Sequence, residues 1–458
     1  MSDQAQDKQA EGNASSKGAG KLLSDFLGTL GTRIGTMGIG LFTGILSARL
    51  LGPEDRGIFA LVALFPSTLV TLSKFGQAQA VIYFIRRERE DVTKLASNAV
   101  TFACLVGAIM VAAVLLLREE LVSTVLGGVP IWALVVVCPL IPILLIESYL
   151  YGVLQATDRF KVYNTRILVD NVLMLASMFG FLYVAGWGLQ GALASLMLTR
   201  GVMFAWLVWT ITRQTPIRLG LDRSLFARTI RYGLKSHIQI IASHFHFRAA
   251  IYIVALYLNP AEVAFYSIGA RLAERIMYVP QSLGLALFPR LAGADEARVH
   301  AMTAAAVRQT IVVCALAAAA MTLIGPWLIV LAYGPDYAAA AGPLRYIAWG
   351  IVMMSAYVLL SRNFTSRDLQ RINIIAAYTA LFGNVVLNLV LVPRMGIEGA
   401  AIATACAYSV AATILYVFFV RESGLPWYEG LLLRAADVAM WRRVAGTMVA
   451  KVLPGRSG

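Results

Sequence analysis

Runs of roughly twenty apolar residues recur along this chain. Nothing constrains its fold more, because a helix of about that length is what crosses the hydrocarbon core of a bilayer. By that rule spans fall near 26–50, 58–85, 95–117, 130–153, 167–186 and 189–211. A second set falls near 234–258, 263–288, 309–332, 343–361, 373–392 and 397–420. The expectation is an all-α polytopic membrane protein of about 12 transmembrane helices. Only 14% of the residues are charged, where a soluble domain carries about 25%. A net charge of +14 would suggest nucleic acid in a soluble protein. Here it sits mostly in short loops between apolar runs, so membrane lipids are the expected partners and nucleic acid is not. Cys104, Cys138, Cys314 and Cys406 stand singly inside apolar runs. They read as small core hydrophobes, with no disulfide framework, metal site or cofactor expected.

Orientation follows from the loops. One side collects Arg86, Arg87, Arg89, Lys94, Arg159, Lys161 and the basic stretch "TRQTPIRLGLDRSLFARTIR" (212–231), whereas the other holds only Arg49, Arg56, Arg118, Arg345 and Arg394. Both termini are therefore expected in the cytoplasm. The expected organisation is a disordered cytoplasmic tail (1–20), a six-helix bundle (21–211) and a basic cytoplasmic linker (212–232). A second six-helix bundle (233–420) and a cytoplasmic or interfacial tail (421–458) follow.

The two halves echo each other. "LLGPEDRGIFAL" (50–61) returns as "LNPAEVAFYSI" (258–268), and "GLQGALA" (188–194) as "GIEGAAI" (396–402), aligning Pro53 with Pro260 and Gly188 with Gly396. "VLGG" (125–128) meets "LAYG" (331–334) at nearly the same spacing. Six spans is an even number, so both halves enter the membrane in the same sense and the repeat is parallel. Transporters built this way bind substrate between the halves and rock around it.

Four stretches bear a family likeness: "ARLLGPEDRGIFAL" after the first span, "YLYGVLQATDRFKVYN" (149–164), "YGPDYAAAAGPLR" (333–345) and "NVVLNLVLVPRMGIEGAAIATACAY" (384–408). In their order and spacing the chain resembles the polysaccharide transport branch of the multidrug/oligosaccharidyl-lipid/polysaccharide exporter superfamily, the Wzx-type flippases. The resemblance implies a transporter rather than an enzyme, seated in a bacterial inner membrane. It implies movement of an undecaprenyl-diphosphate-linked oligosaccharide from the cytoplasmic to the outer leaflet for surface polysaccharide synthesis, alongside glycan polymerase machinery.

An ionisable residue inside a span is costly and faces a cavity or a partner. At about 100° per residue, span one carries Asp25, Thr36, Thr43 and Ser47 in one wedge with Arg33 at its edge. Span two aligns Ser67, Thr71 and Lys74. Span seven aligns His237, His244 and Arg248, with His246 on the opposite face, where packing is expected. Span eight aligns Arg271, Arg275, Tyr278 and Ser282, with Glu274 alongside. Arg33, Lys74, His237, His244, Arg248, Arg271 and Arg275 are thus the candidate lining of a cationic cavity between the halves, and a lipid diphosphate is a matching anion because arginine forks to two phosphate oxygens. Asp25, Glu147, Asp170 and Glu274 are candidate coupling acids. For Glu147, Asp170 and Glu274 an ion pair inside the bundle is the competing reading. Coupling to the membrane potential, H+ or Na+ all fit. The rivals are a multidrug exporter of the same superfamily, whose cationic substrates such a cavity repels, and a membrane-embedded glycan polymerase or ligase, for which no P-loop, metal cluster or close carboxylate pair is present.

Overall fold

The computed structural model describes the backbone of residues 2–292, 295–435 and 437. It describes side chains from Gly35 onward in those ranges, apart from Phe160, Ala286, Pro289, Arg290 and Ala292. In chain order the helices are α1 (Ser2–Ser73), α2 (Gln77–Arg86), α3 (Val92–Leu116), α4 (Arg118–Thr124), α5 (Ile131–Val137), α6 (Leu140–Ala156) and α7 (Phe160–Met178). There follow a π-turn (Phe179–Val184), α8 (Gly188–Thr212), α9 (Arg223–Tyr257), α10 (Pro260–Glu274), a 3₁₀ turn (Arg275–Met277) and α11 (Tyr278–Ala292). The series closes with α12 (Glu296–Tyr333), a second 3₁₀ turn (Pro335–Ala340), α13 (Ala341–Ser366) and α14 (Gln370–Ser423). No strand occurs among the described residues.

Nine of the described helical stretches are long and apolar enough to cross a membrane. Two of them contain a break with non-helical backbone, at Gly52 in α1 (φ 74°, ψ 172°) and at Gly396 in α14 (φ 60°, ψ −142°). Each break separates two spans, and the α10–α11 run supplies one more, which gives the twelve-span layout. The turn glycines of the repeat share a positive φ: Gly128 and Gly334 have φ of 79° and 108°, and Gly188 and Gly396 have 54° and 60°. In a left-handed region that costs an L-side chain about 1–2 kcal/mol, a glycine at each place is what both halves require.

By its packing the chain divides into two compact units, Met1–Ile241 and Ala242–Gly458. The division falls within α9, because the first part of that helix is tied into the first unit. Arg228 Nη1 donates to Glu90 Oε1 at 2.7 Å, and Tyr232 stacks on Tyr83 with ring centroids 4.2 Å apart. The preceding linker is also held. Asn98 on α3 bonds both the N–H and the C=O of Asp222 (2.7 and 3.1 Å), Thr101 does the same for Gly220 (3.0 and 3.1 Å), and Ser97 Oγ accepts from the Arg218 N–H at 3.2 Å. Three polar side chains on one helix thus satisfy backbone groups that the irregular linker would otherwise leave open.

The second span, expected as one helix over 58–85, is interrupted at 74–76, where Phe75 (φ 44°) and Gly76 (φ 66°) turn left-handed between α1 and α2. Helix interruptions in a membrane protein persist only where the freed carbonyls find donors. Here His237 Nε2 donates to the Leu72 carbonyl (3.1 Å) and the Tyr149 hydroxyl to that of Lys74 (3.1 Å). Gly76 lies against Gly233 of α9 so closely that a Cβ on Gly76 would fall 2.0 Å from the Gly233 carbonyl oxygen.

After α14 the chain is latched back onto the start of α12 in the second unit. Arg308 grips both carboxylate oxygens of Asp437 (2.6 and 2.9 Å) and donates to the Glu429 carbonyl (2.6 Å), while Gln309 Nε2 and the Arg434 N–H also donate to Asp437 (both 2.9 Å). These donors hold the Asp437 carboxyl well below the usual carboxylate range. A residue so depressed stabilises the fold at every pH above its unfolded value, and the contribution is lost only as pH falls through the folded one.

Two outcomes follow. Gly76→Ala adds a steric clash to a left-handed residue and lowers stability by about 3 kcal/mol. Gly186→Ala, equally left-handed but with open space around the added methyl, costs about 1 kcal/mol. Thermal unfolding of the two purified variants ranks them. Hydrogen exchange over residues 425–435 stays slow from about pH 7 to about pH 4.5 in the parent protein, and becomes fast at both in Asp437→Asn.

Candidate functional site

Four of the ionisable residues singled out in the sequence meet in one cleft of the second unit. It has a volume of ≈ 430 Å³ and is lined by Arg248, Arg271, Glu274, Arg275, Tyr278 and Gln281 together with Phe247 and Met277. Arg248 comes from α9, Arg271 and Glu274 from α10, Arg275 from the 3₁₀ turn, and Tyr278 and Gln281 from α11. Glu274 accepts from Arg248 Nη1 at 3.2 Å across the two helices. Arg275 Nη1 donates to the Tyr278 hydroxyl at 3.2 Å. Arg271 is exposed and makes no hydrogen bond or ion pair with any described residue. The wall therefore sets three guanidinium groups against one carboxylate, with one arginine fork unclaimed, which is an arrangement for binding an anion.

The 3₁₀ turn decides which residues reach this wall. It winds about 120° per residue instead of about 100°, so three residues advance the face by about 60°. That rotation brings in Gln281 and carries Ser282, which straight helical spacing had aligned with Arg271, off the face. Gln281 was missed for this reason; the run "ERIMYVPQ", with Pro280 near the turn, is the only sequence sign of it.

The other candidates lie elsewhere. His237 is buried in the first unit, bonded to the Leu72 carbonyl and with its ring 5.4 Å from Phe75. It braces the helix break and does not line the arginine cleft. Lys74 stands half-buried at that same break. His244 is half-buried, with its ring at 5.6 Å from Phe245. His246 is buried against Tyr408 (5.0 Å). Arg33 and Asp25 lie outside the described side chains. The hydroxyls of Thr43, Ser47, Ser67 and Thr71 each donate to a carbonyl three or four residues back in their own helix. That stripe is already hydrogen-bonded.

In the first unit, Glu147 and Asp170 each have an arginine. Glu147 is bonded to Arg166, both almost fully buried, and Arg166 Nε also donates to the Met203 carbonyl at 3.2 Å while its guanidinium lies 4.8 Å from the Tyr151 ring. Asp170 accepts from Arg200 at 3.1 Å in a more open position. Charges so buried persist only when paired; each of these is, and Arg166 is bonded further to the Met203 carbonyl.

Helices long and apolar enough to cross a membrane, in two compact units, give the fold of a polytopic membrane protein. The structure superposes on lipid II flippase MurJ in an inward closed conformation with a TM-score of 0.76 over 93% of both chains, at 15% identity. It superposes on an inward-facing multidrug resistance MATE family transporter of the MOP superfamily with a TM-score of 0.67, over 84% of this chain and 94% of that one, at 16% identity. Identities this low speak for the fold alone. The family comes from the sequence: residues 22–294 match the polysaccharide biosynthesis protein family, more than half of the chain, and the protein belongs to that family. Among its relatives, a probable low-salt glycan biosynthesis flippase, Agl15 of Haloferax volcanii, is 22% identical over 60% of this chain. The succinoglycan biosynthesis transport protein ExoT of Rhizobium meliloti is 25% identical over 53% of it. The matched stretches span 57% and 48% of those two proteins, about half their length.

Arg166→Ala would leave Glu147 buried and unpaired, at a cost of about 3–5 kcal/mol. Arg200→Ala, at the half-exposed pair, costs under about 1 kcal/mol. Thermal unfolding separates the two, and a Glu147 that served as a free coupling site would give no such difference.

Proposed function

We propose that the protein is an alternating-access flippase that carries an undecaprenyl-diphosphate-linked oligosaccharide from the cytoplasmic to the outer leaflet of a bacterial inner membrane, both termini cytoplasmic. The carrying observation is the unclaimed Arg271 fork beside Arg248 and Arg275. A diphosphate offers several acceptor oxygens to such a wall, while Tyr278 and Gln281 offer hydroxyl and amide partners to sugars. The names of the relatives support a glycan-related cargo. Organic cations, the alternative cargo on this fold, meet three positive groups and one negative, a poor match. Glycan polymerase machinery is the partner that would consume the delivered product.

Coupling follows from charge. One elementary charge crossing the membrane is worth about 2.3 kcal/mol per 100 mV, so an interior-negative potential drives the loaded anion outward and favours return of the emptied cationic site. H+ or Na+ exchange at Glu274 is a further route, since the acid is released from Arg248 when a diphosphate takes its place.

Native mass spectrometry with an undecaprenyl-diphosphate glycan tests this. Arg271→Ala/Arg275→Ala weakens binding at least about tenfold, the effect expected for charge-assisted hydrogen bonds. Unchanged binding, or preference for an organic cation in the parent protein, overturns the reading.

A further inference from the structure

A second groove of the Ala242–Gly458 unit, ≈ 620 Å³ in volume, runs between α13 and the part of α14 that follows the Gly396 break. It lies away from the arginine cleft. On α14, Thr404 bonds the Tyr266 hydroxyl of α10 (3.0 Å) and Tyr408 meets His246 of α9. At about 100° per residue Ile402, Cys406 and Ser409 fall on the opposite face. The lining is apolar, and Trp349 is 48% exposed on a helix apolar enough to span a membrane. An exposed apolar face on a helix of membrane-spanning length suits contact with lipid. Its floor is closed where Gly350 of α13 lies against Ala405, so near that a Cβ there would sit 2.6 Å from the Ala405 Cα.

The rim is what distinguishes it. Arg345 and Glu398 are both exposed at the same end of the groove, in the first turns of their helices, beside Tyr346 and Trp349. Neither has an ion-pair or hydrogen-bond partner among the described residues, and they do not pair with each other. The aromatic pair belongs to the headgroup level of a bilayer, where tyrosine and tryptophan concentrate. An unpaired cation and an unpaired anion there complement a headgroup carrying both charges. We propose that this groove is a lateral site for a phospholipid of the phosphatidylethanolamine type, its phosphate on Arg345, its primary ammonium on Glu398 and one acyl chain along Ile402 and Cys406. A quaternary choline ammonium has no N–H to give Glu398, and a glycerol headgroup leaves that carboxylate facing a net negative lipid. The site is independent of the diphosphate reading of the arginine cleft.

Native mass spectrometry of the full-length protein, with phosphatidylethanolamine, phosphatidylcholine and phosphatidylglycerol of identical acyl chains in equal amounts, tests it. One phosphatidylethanolamine is retained about fivefold over phosphatidylcholine, Glu398→Gln abolishes that preference, and Arg345→Gln weakens retention of both lipids, as expected for one charge-assisted contact each at an exposed position. Glu398→Gln, tested separately, shifts retention toward phosphatidylglycerol. Both side chains are exposed, so unchanged thermal unfolding of each variant is expected and confirms that the comparison is between folded proteins. Equal retention of phosphatidylethanolamine and phosphatidylcholine by the parent protein overturns the proposal. So does parent-like retention in both variants, or a dimer that excludes lipid and so places a second copy on the groove.

Discussion

A guanidinium inside an apolar helix must meet an anion, a carbonyl or water, and this requirement organises the polar interior of both units. Arg166 has Glu147, the Met203 carbonyl and the Tyr151 face; Arg200 has Asp170; Arg248 has Glu274. The first of these is fully enclosed and works as a fixed internal strut. The last is 30% and 23% exposed, open to solvent where the first is closed. Arg271, in the same cleft, has no hydrogen bond or ion pair among the described residues. The arginines of this protein therefore differ in how completely each is satisfied, since all of them lie in similar apolar sequence.

The same rule acts on the backbone. Where α1 gives way to α2, a histidine from another helix donates to the Leu72 carbonyl, and a tyrosine hydroxyl joins the Gln77 N–H on the Lys74 carbonyl. His237 is thus drawn into holding a helix break, and its presence in a histidine-rich run of sequence does not bring it to the cleft.

The spans, the Gly396 turn and the two-times-six repeat were legible because each has a local signature: twenty apolar residues, or a glycine at a matching place in both halves. The grouping of Arg248, Arg271, Glu274 and Arg275 was legible too, since ionisable residues stand out in so apolar a chain. What escaped depends on phase or on distance. The break at 74–76 is marked only by one glycine among 38. The 3₁₀ turn shifts a helix face by a fraction of a turn, enough to exchange Ser282 for Gln281. The latch joins Arg308 to an aspartate 129 residues away, and no spacing within either segment announces it. The bonds of Asn98 and Thr101 to the linker backbone likewise join segments more than a hundred residues apart.

The helix shared between the units bears on how such a chain can be divided. A duplicated protein invites the idea that its halves descend from, and could again become, two separate polypeptides joined at the basic linker. Here a cut at residues 212–222 would send Tyr232, Gly233 and His237 away with the wrong fragment, although they fill the crossing at Gly76 and cap the Leu72 carbonyl of the other. The first fragment would lack a piece of its own interior. The linker is the natural seam in the sequence, but the covalent continuity of α9 makes the two halves a single folding problem, and a workable split gene would have to overlap the two fragments through residue 241.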